Sequence, residues 1–172
     1  MKKNDAKTPS GNSGRTSSPS PAVLEILARF RIIFQTNRQH YQHVEKSVGL
    51  GGSQLQALAI IASQNPVGIS ALAKAMLIRQ PTASNLVEQL TRLGLVIKKQ
   101  SGRDLRAVEL AVTAKARRIL ARAPAPLVGL LADAIDSMNP ASRANLRKSL
   151  DAVLEAMKSK DDSARFRPLA DM

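Results

Sequence analysis

The sequence has no cysteine and no tryptophan, and few aromatic residues of any kind. Without cysteine there is no disulfide, no thiolate metal site and no cysteine redox switch. Phe30, Phe34, Tyr41 and Phe166 are the whole aromatic set. Proteins that hold single-stranded nucleic acid stack bases on exposed aromatics. Three of these four fall in one apolar helical stretch, where a core role is expected instead. Acidic residues are scarce too: 13 stand against 26 lysines and arginines, leaving a formal charge of +13 over 172 residues. Such a surplus favours a polyanionic partner, either nucleic acid or an anionic membrane surface. No apolar run approaches the roughly 18 residues that span a bilayer, and no membrane partner is expected. The basic N-terminus lacks the apolar centre of a secretory signal, so a cytoplasmic location is expected. No paired carboxylates, Ser/His/Asp set or metal-hydrolase arrangement is legible, so neither an enzyme nor a cofactor is expected.

What is present is helical periodicity with clear punctuation. Residues 1–20 are dominated by small polar residues and lysine, and read as a disordered basic tail. From Pro21 to about Ser47, Val23, Leu27, Phe30, Phe34, Tyr41 and Val44 recur at helical spacings, widened by Leu24, Ile26, Ile32 and Ile33. Gly49 to Gly52 break that helix. No phosphate-loop pattern surrounds these glycines, so they are punctuation. Ser53 is expected to cap a helix over 54–63, and Ser70 one from Ala71 to about Leu77 with Leu72, Ala73 and Met76 inside. Ile78, Arg79 and Gln80 make a turn, and Pro81 opens a helix that Gly94 stops after Leu93. Residues 95–100 and 107–112 alternate as hairpin strands around a charged turn, Ser101-Gly102-Arg103-Asp104-Leu105-Arg106. Thr113 is placed to cap a further helix, which Pro124 and Pro126 should break near Ala123. A helix over 127–138 follows, then one capped by Asn139, with Leu146, Leu150, Val153, Leu154 and Met157 as a narrow packing seam.

Helix, turn, second helix and basic hairpin are the parts of a winged helix-turn-helix. The expected fold class is therefore mainly α with a small β-hairpin wing, flanked by N- and C-terminal dimerisation helices. The second helix has two faces. Ala83, Leu86, Val87, Leu90 and Leu93 form an apolar arc. Thr82, Ser84 and Asn85 offer short polar groups suited to base edges and phosphates near the helix start. Glu88 and Arg92 on the same side are either contacts or solvated residues. Between Asn65 and Arg117 nine basic residues face three acidic ones. Arg79, Gln80, Lys98, Lys99 and Arg103 join Thr82, Ser84 and Asn85 as candidate DNA contacts. An arginine at a hairpin tip can enter a narrow minor groove, and Asp104 can hold Arg106 in place through a bidentate pair.

Asp104-Leu105-Arg106, followed after a short strand by Val112-Thr113, resembles the wing signature of the MarR family, the multiple antibiotic resistance regulators. Leu90 and Leu93-Gly94-Leu95-Val96 resemble that family's approach to the wing. The proline pair and Ala116, where the family commonly has glycine, depart from the pattern. The resemblance implies that Arg106 reaches the minor groove, that Asp104 positions it, and that Thr82, Ser84 and Asn85 face the major groove. It also implies one domain over residues 21–159. Residues 21–52 and 118–159 would be dimerisation helices, residues 53–117 the winged helix-turn-helix, and residues 160–172 a flexible tail.

The expected function is a homodimeric, sequence-specific double-stranded DNA-binding transcriptional regulator. It would act as a repressor of a pseudo-palindromic operator, released by a small-molecule effector. Arg38, His40, Tyr41 and His43 cluster near the end of the first helix. They are either an effector site or an ordinary polar helix end, and two histidines without cysteine give no reason to expect a metal. By fold-level analogy the effector would be anionic or phenolic. The competing expectation is a non-specific architectural or RNA-binding protein, for which net charge would suffice. A protein-interaction module using the winged helix is a third.

Overall fold

The computed structural model describes residues 18–64, 66–100, 108–127, 129–158 and 162–171. The basic N-terminal stretch and the turn at 101–107 lie outside them. Seven helices and one hairpin follow in chain order among the described residues: α1 (Pro21–Val48), α2 (Gly52–Ser63), α3 (Ile69–Ala75), α4 (Gln80–Arg92), β1 (Val96–Gln100), β2 (Val108–Val112), α5 (Ala114–Arg122), α6 (Leu130–Asp136) and α7 (Pro140–Ala156). Two 3-10 turns, Asp162–Phe166 and Leu169–Asp171, close the chain. The mainly helical fold with a hairpin wing expected from the sequence is the fold observed.

The core belongs to the central elements. Leu55, Leu58 and Ile61 of α2, Leu72 of α3, Leu90 of α4 and Leu110 of β2 are fully buried together with Leu95. β1 and β2 pair antiparallel, with Val96 opposite Val112 and Lys99 opposite Glu109. The Leu110 amide donates to the Val67 carbonyl at 2.8 Å, so the piece before α3 adds a backbone rung to the hairpin. This rung ties the wing to the helix-turn-helix.

The caps show what local pattern can and cannot reveal. Thr113 and Asn139 act as expected, their side chains accepting from the amides of Ala116 at 3.2 Å and Ser142 at 2.8 Å. Ser53 and Ser70 do not cap. Gly51 and Gly68 take the extended N-cap conformation instead. The Gln54 side chain accepts from the Gly51 amide at 3.1 Å, which starts α2 two residues earlier and buries Ser53. The chain breaks at Ala123 as its prolines require. The next helix is shorter than the expected 127–138, because Gly129 at φ +101° sets its start.

The flanking helices are different in kind. α1 buries only Val44, and α7 buries no residue. Phe30 and Phe34 stack at 6.2 Å between centroids on the surface of α1, where Phe34 is 63% exposed. The expectation that these rings sit in a core is therefore not met within one chain. The C-terminal stretch, expected to be loose, instead buries Pro168 and lays Ala170 over Gly52 of α2.

Candidate nucleic-acid interface

The apolar arc of α4 is what orients its polar side. Ala83, Leu86, Val87 and Leu90 are buried against the core. Leu93, expected in the same arc, is 44% exposed because it terminates the helix beyond the packed turn. With that arc pinned, Asn85, Glu88 and Arg92 are exposed on the far side. Thr82 and Ser84 are half-buried along the flank, so their hydroxyls reach less far outward than the Asn85 amide. Gln80 is exposed in the first turn, and Arg79 is the exposed N-cap residue. The unpartnered amides of the first turn, to which Pro81 contributes none, and the helix dipole point from this end, an arrangement that favours a phosphate.

The turn before α4 is tight. Ile78 is buried and its amide donates to the Ala73 carbonyl at 3.0 Å. Between the two helices Leu77 sits at φ +52° with its side chain 72% exposed. This is a left-handed conformation occupied by a branched apolar residue rather than by glycine.

The far end of α4 is locked to the wing. Lys115 Nζ donates to the Leu93 carbonyl at 3.1 Å, and Thr113 Oγ1 donates to the Gly94 carbonyl at 2.9 Å. Lys115 thus serves the helix C-terminus, where a cation is favoured. Lys98 and Lys99 are both exposed on β1. Adjacent strand residues point to opposite faces, so Lys98 shares the side of Leu110 while Lys99 stands beside Glu109 on the other. Arg103, Asp104 and Arg106 lie outside the described residues. Among the described residues the ion pairs are Arg29 with Glu25 and Arg143 with Asp136, both far in sequence from α4 and its hairpin. Arg79, Lys98 and Lys99 form no ion pair there.

A second feature has no α4 residue in its wall. A cleft of about 1110 Å³ opens between α1, the start of α2, α6 and the C-terminal turn. Arg38 and Tyr41 line it; His40 and His43 do not. His40 packs edge-on against Tyr41 at 5.6 Å between centroids, and His43 is exposed. The Tyr41 ring fills a slot between two glycines, since a Cβ on either Gly52 or Gly129 would collide with it. Asn37 also lines the cleft, and its Oδ1 is buried without a hydrogen-bond partner among the described residues. Nothing in the local sequence pattern marks Asn37 as a cleft residue or Gly52 as a wall of the Tyr41 slot.

Residues 48–107 match the family model for the MarR family, which covers the helix-turn-helix and the approach to the wing turn. No curated protein sequence matches the chain. Solved structures with the same fold include the S. aureus MepR–DNA complex, at 16% identity and a TM-score of 0.57, covering 80% of this chain and 99% of that one. Sco3205 from Streptomyces coelicolor, a MarR family transcriptional regulator in complex with DNA, aligns at 21% identity with a TM-score of 0.54, covering 83% and 96%. BpsR of Bordetella bronchiseptica, whose DNA binding is regulated by 6-hydroxynicotinic acid, aligns at 20% identity and 0.50, covering 78% and 99%. The resemblance read from the wing signature therefore holds.

Proposed function

We propose that this chain, which carries a MarR-type winged helix, is a homodimeric, sequence-specific double-stranded DNA-binding transcriptional regulator of the cytoplasm. The observation that carries this reading is the division of α4, whose buried apolar arc turns Gln80 and Asn85 outward, with Lys98 and Lys99 exposed on β1. Asn85 is suited to a bidentate contact with adenine in the major groove. Thr82 and Ser84 on the flank, with Arg79 and the helix start, suit phosphates. Arg103, Asp104 and Arg106 in the wing turn would add grip along the backbone or minor groove.

Dimerisation is supported by the flanks. Ile26, Ile33 and Phe34 of α1 and Val153, Leu154 and Met157 of α7 are exposed, an apolar surface that a lone soluble chain seldom leaves open. A second copy packed there would present two α4 helices to one pseudo-palindromic site. The residues 21–52 and 118–159 would form that interface and 53–117 the reading unit. The cleft supports an effector: Arg38 suits an anion, and the unpartnered Asn37 Oδ1 suits a phenol hydroxyl or other donor. In this reading the protein is a repressor, and filling the cleft releases it.

The charge of +13 favours a second reading, non-specific binding to nucleic acid. Selection of bound duplexes from a random library, followed by affinity measurement at physiological salt, tests one against the other. A selected two-fold symmetric site bound about a thousandfold or more tighter than random duplex is the expected result. Equal binding of selected and random duplex would establish the non-specific reading.

A further inference from the structure

Arg79 is an exposed, rotamer-rich cation at the start of α4, and such a side chain loses affinity to ordering when it must be fixed on binding. It is not left free here. Its guanidinium carbon stands 5.7 Å from the centroid of the Phe166 ring, inside the range of a cation–π contact. Arg165 approaches the same ring at 6.0 Å.

Phe166 comes from the far end of the chain, and the segment that carries it is anchored. The Arg167 amide donates to the Ala164 carbonyl at 3.1 Å, closing the turn. Two residues beyond the ring, Pro168 is buried. Ala170 then lies against Gly52 so closely that a Cβ there would come within 2.7 Å of the Ala170 methyl. The ring is thus presented to Arg79 by an anchored strap.

We propose that Phe166 is a positioning residue for Arg79, holding the guanidinium at the start of α4 in readiness for a DNA phosphate. The proposal rests on the reading that α4 meets DNA. A guanidinium held over a ring is attracted electrostatically and keeps its N–H groups available for phosphate oxygens. The contact therefore restricts Arg79 without consuming its hydrogen bonds. Because Leu169 and Ala170 also line the cleft, the same strap runs from the cleft wall to the start of α4.

The test uses the full chain and the duplex recovered by library selection, with affinity read by fluorescence anisotropy across a salt series. Phe166→Leu, which removes the π face and keeps an apolar side chain, is expected to weaken binding about two- to fivefold, the range of an exposed cation–π contact. Phe166→Tyr restores the ring and is expected to restore affinity. Arg79→Ala is expected to lose more and to lower the salt slope by about one phosphate. The double variant Arg79→Ala/Phe166→Leu should bind no more weakly than Arg79→Ala alone, because the ring has nothing left to position. Additive losses, or a Tyr variant as weak as the Leu variant, would overturn the assignment. A chain that binds its selected duplex with Arg79→Ala unchanged in affinity and slope defeats this inference alone. A chain that selects no duplex defeats the DNA-binding reading itself.

Discussion

The central winged helix and the helices that flank it are built on opposite terms. From α2 to α5 most of the apolar periodicity is satisfied inside the chain: Leu58 and Leu90 are 0% exposed. In α1 and α7 an equally regular periodicity meets solvent, with Leu154 54% exposed and Met157 69%. Hydrophobic spacing reports that a face needs a neighbour, and it carries no information on which chain supplies it. The difference teaches that the winged helix depends on its own packing, while the flanks expose apolar faces that the proposed second copy would cover.

The sharpest break between the two regions is a pair of substitutions. Leu58→Ala should cost about 2–5 kcal/mol of unfolding free energy, whatever the protein concentration, as a buried truncation that leaves a cavity. Leu154→Glu should leave the reading unit folded and shift light scattering to the 18.5 kDa of one chain. Urea titrations at several protein concentrations separate the two behaviours. A Leu154→Glu protein that keeps twice that mass would show that α7 does not hold the copies together.

Asn85→Ala sharpens the comparison within the reading unit, because Asn85 is exposed and its loss should not touch folding. The expected effect is about 1–3 kcal/mol of discrimination at one base step, with thermal stability unchanged. It is read by comparing the selected duplex with single-base variants of it. Uniform loss on every sequence would place Asn85 on the backbone rather than on a base.

Much of this unit was legible in the sequence, for a physical reason. Residues 53–117 are local in sequence and supply most of the core, to which Val44 and Leu50 add, and Gly94, Thr113 and the prolines punctuate them with local chemistry that acts at short range. The start of α2 is not legible locally because Gly51 caps it through backbone conformation while the bond comes from Gln54, three residues on. The polar composition of the C-terminal turn points to a loose tail. What seats it is a pair of distant contacts, Ala170 on Gly52 and Phe166 on Arg79, and no local spacing encodes either. The candidate cleft was half legible: a cluster near the end of α1 was visible, but only helix geometry separates Arg38 and Tyr41, which line it, from His40 and His43, which do not.

A smaller effect probes the corner where α4 meets the wing. Thr113 accepts from the Ala116 amide and donates to the Gly94 carbonyl, so Thr113→Ala removes a cap and a cross-link together. About 1 kcal/mol of stability should be lost, measured by urea unfolding. Thr113→Ser retains both bonds and should recover most of it. If Ser and Ala variants are equally unstable, the methyl group matters more than the hydroxyl.

The smallest effect is also the one with an unusual sign. Leu77 holds φ +52° in the turn between α3 and α4, where a Cβ crowds the following carbonyl and costs about 1–2 kcal/mol. Its side chain is 72% exposed, so little burial is forfeited by removing it. Glycine would relieve the crowding but loses about 0.5–1 kcal/mol more conformational freedom on folding. The balance predicts that Leu77→Gly raises stability by less than about 1 kcal/mol, while Leu77→Ala keeps the crowded Cβ and gains nothing. Equal unfolding midpoints for the Gly and Ala variants would mean the turn is not strained in solution. A gain from Gly would mean that this turn holds a left-handed leucine at a cost to stability, and the selected duplex would then show whether that leucine serves DNA binding.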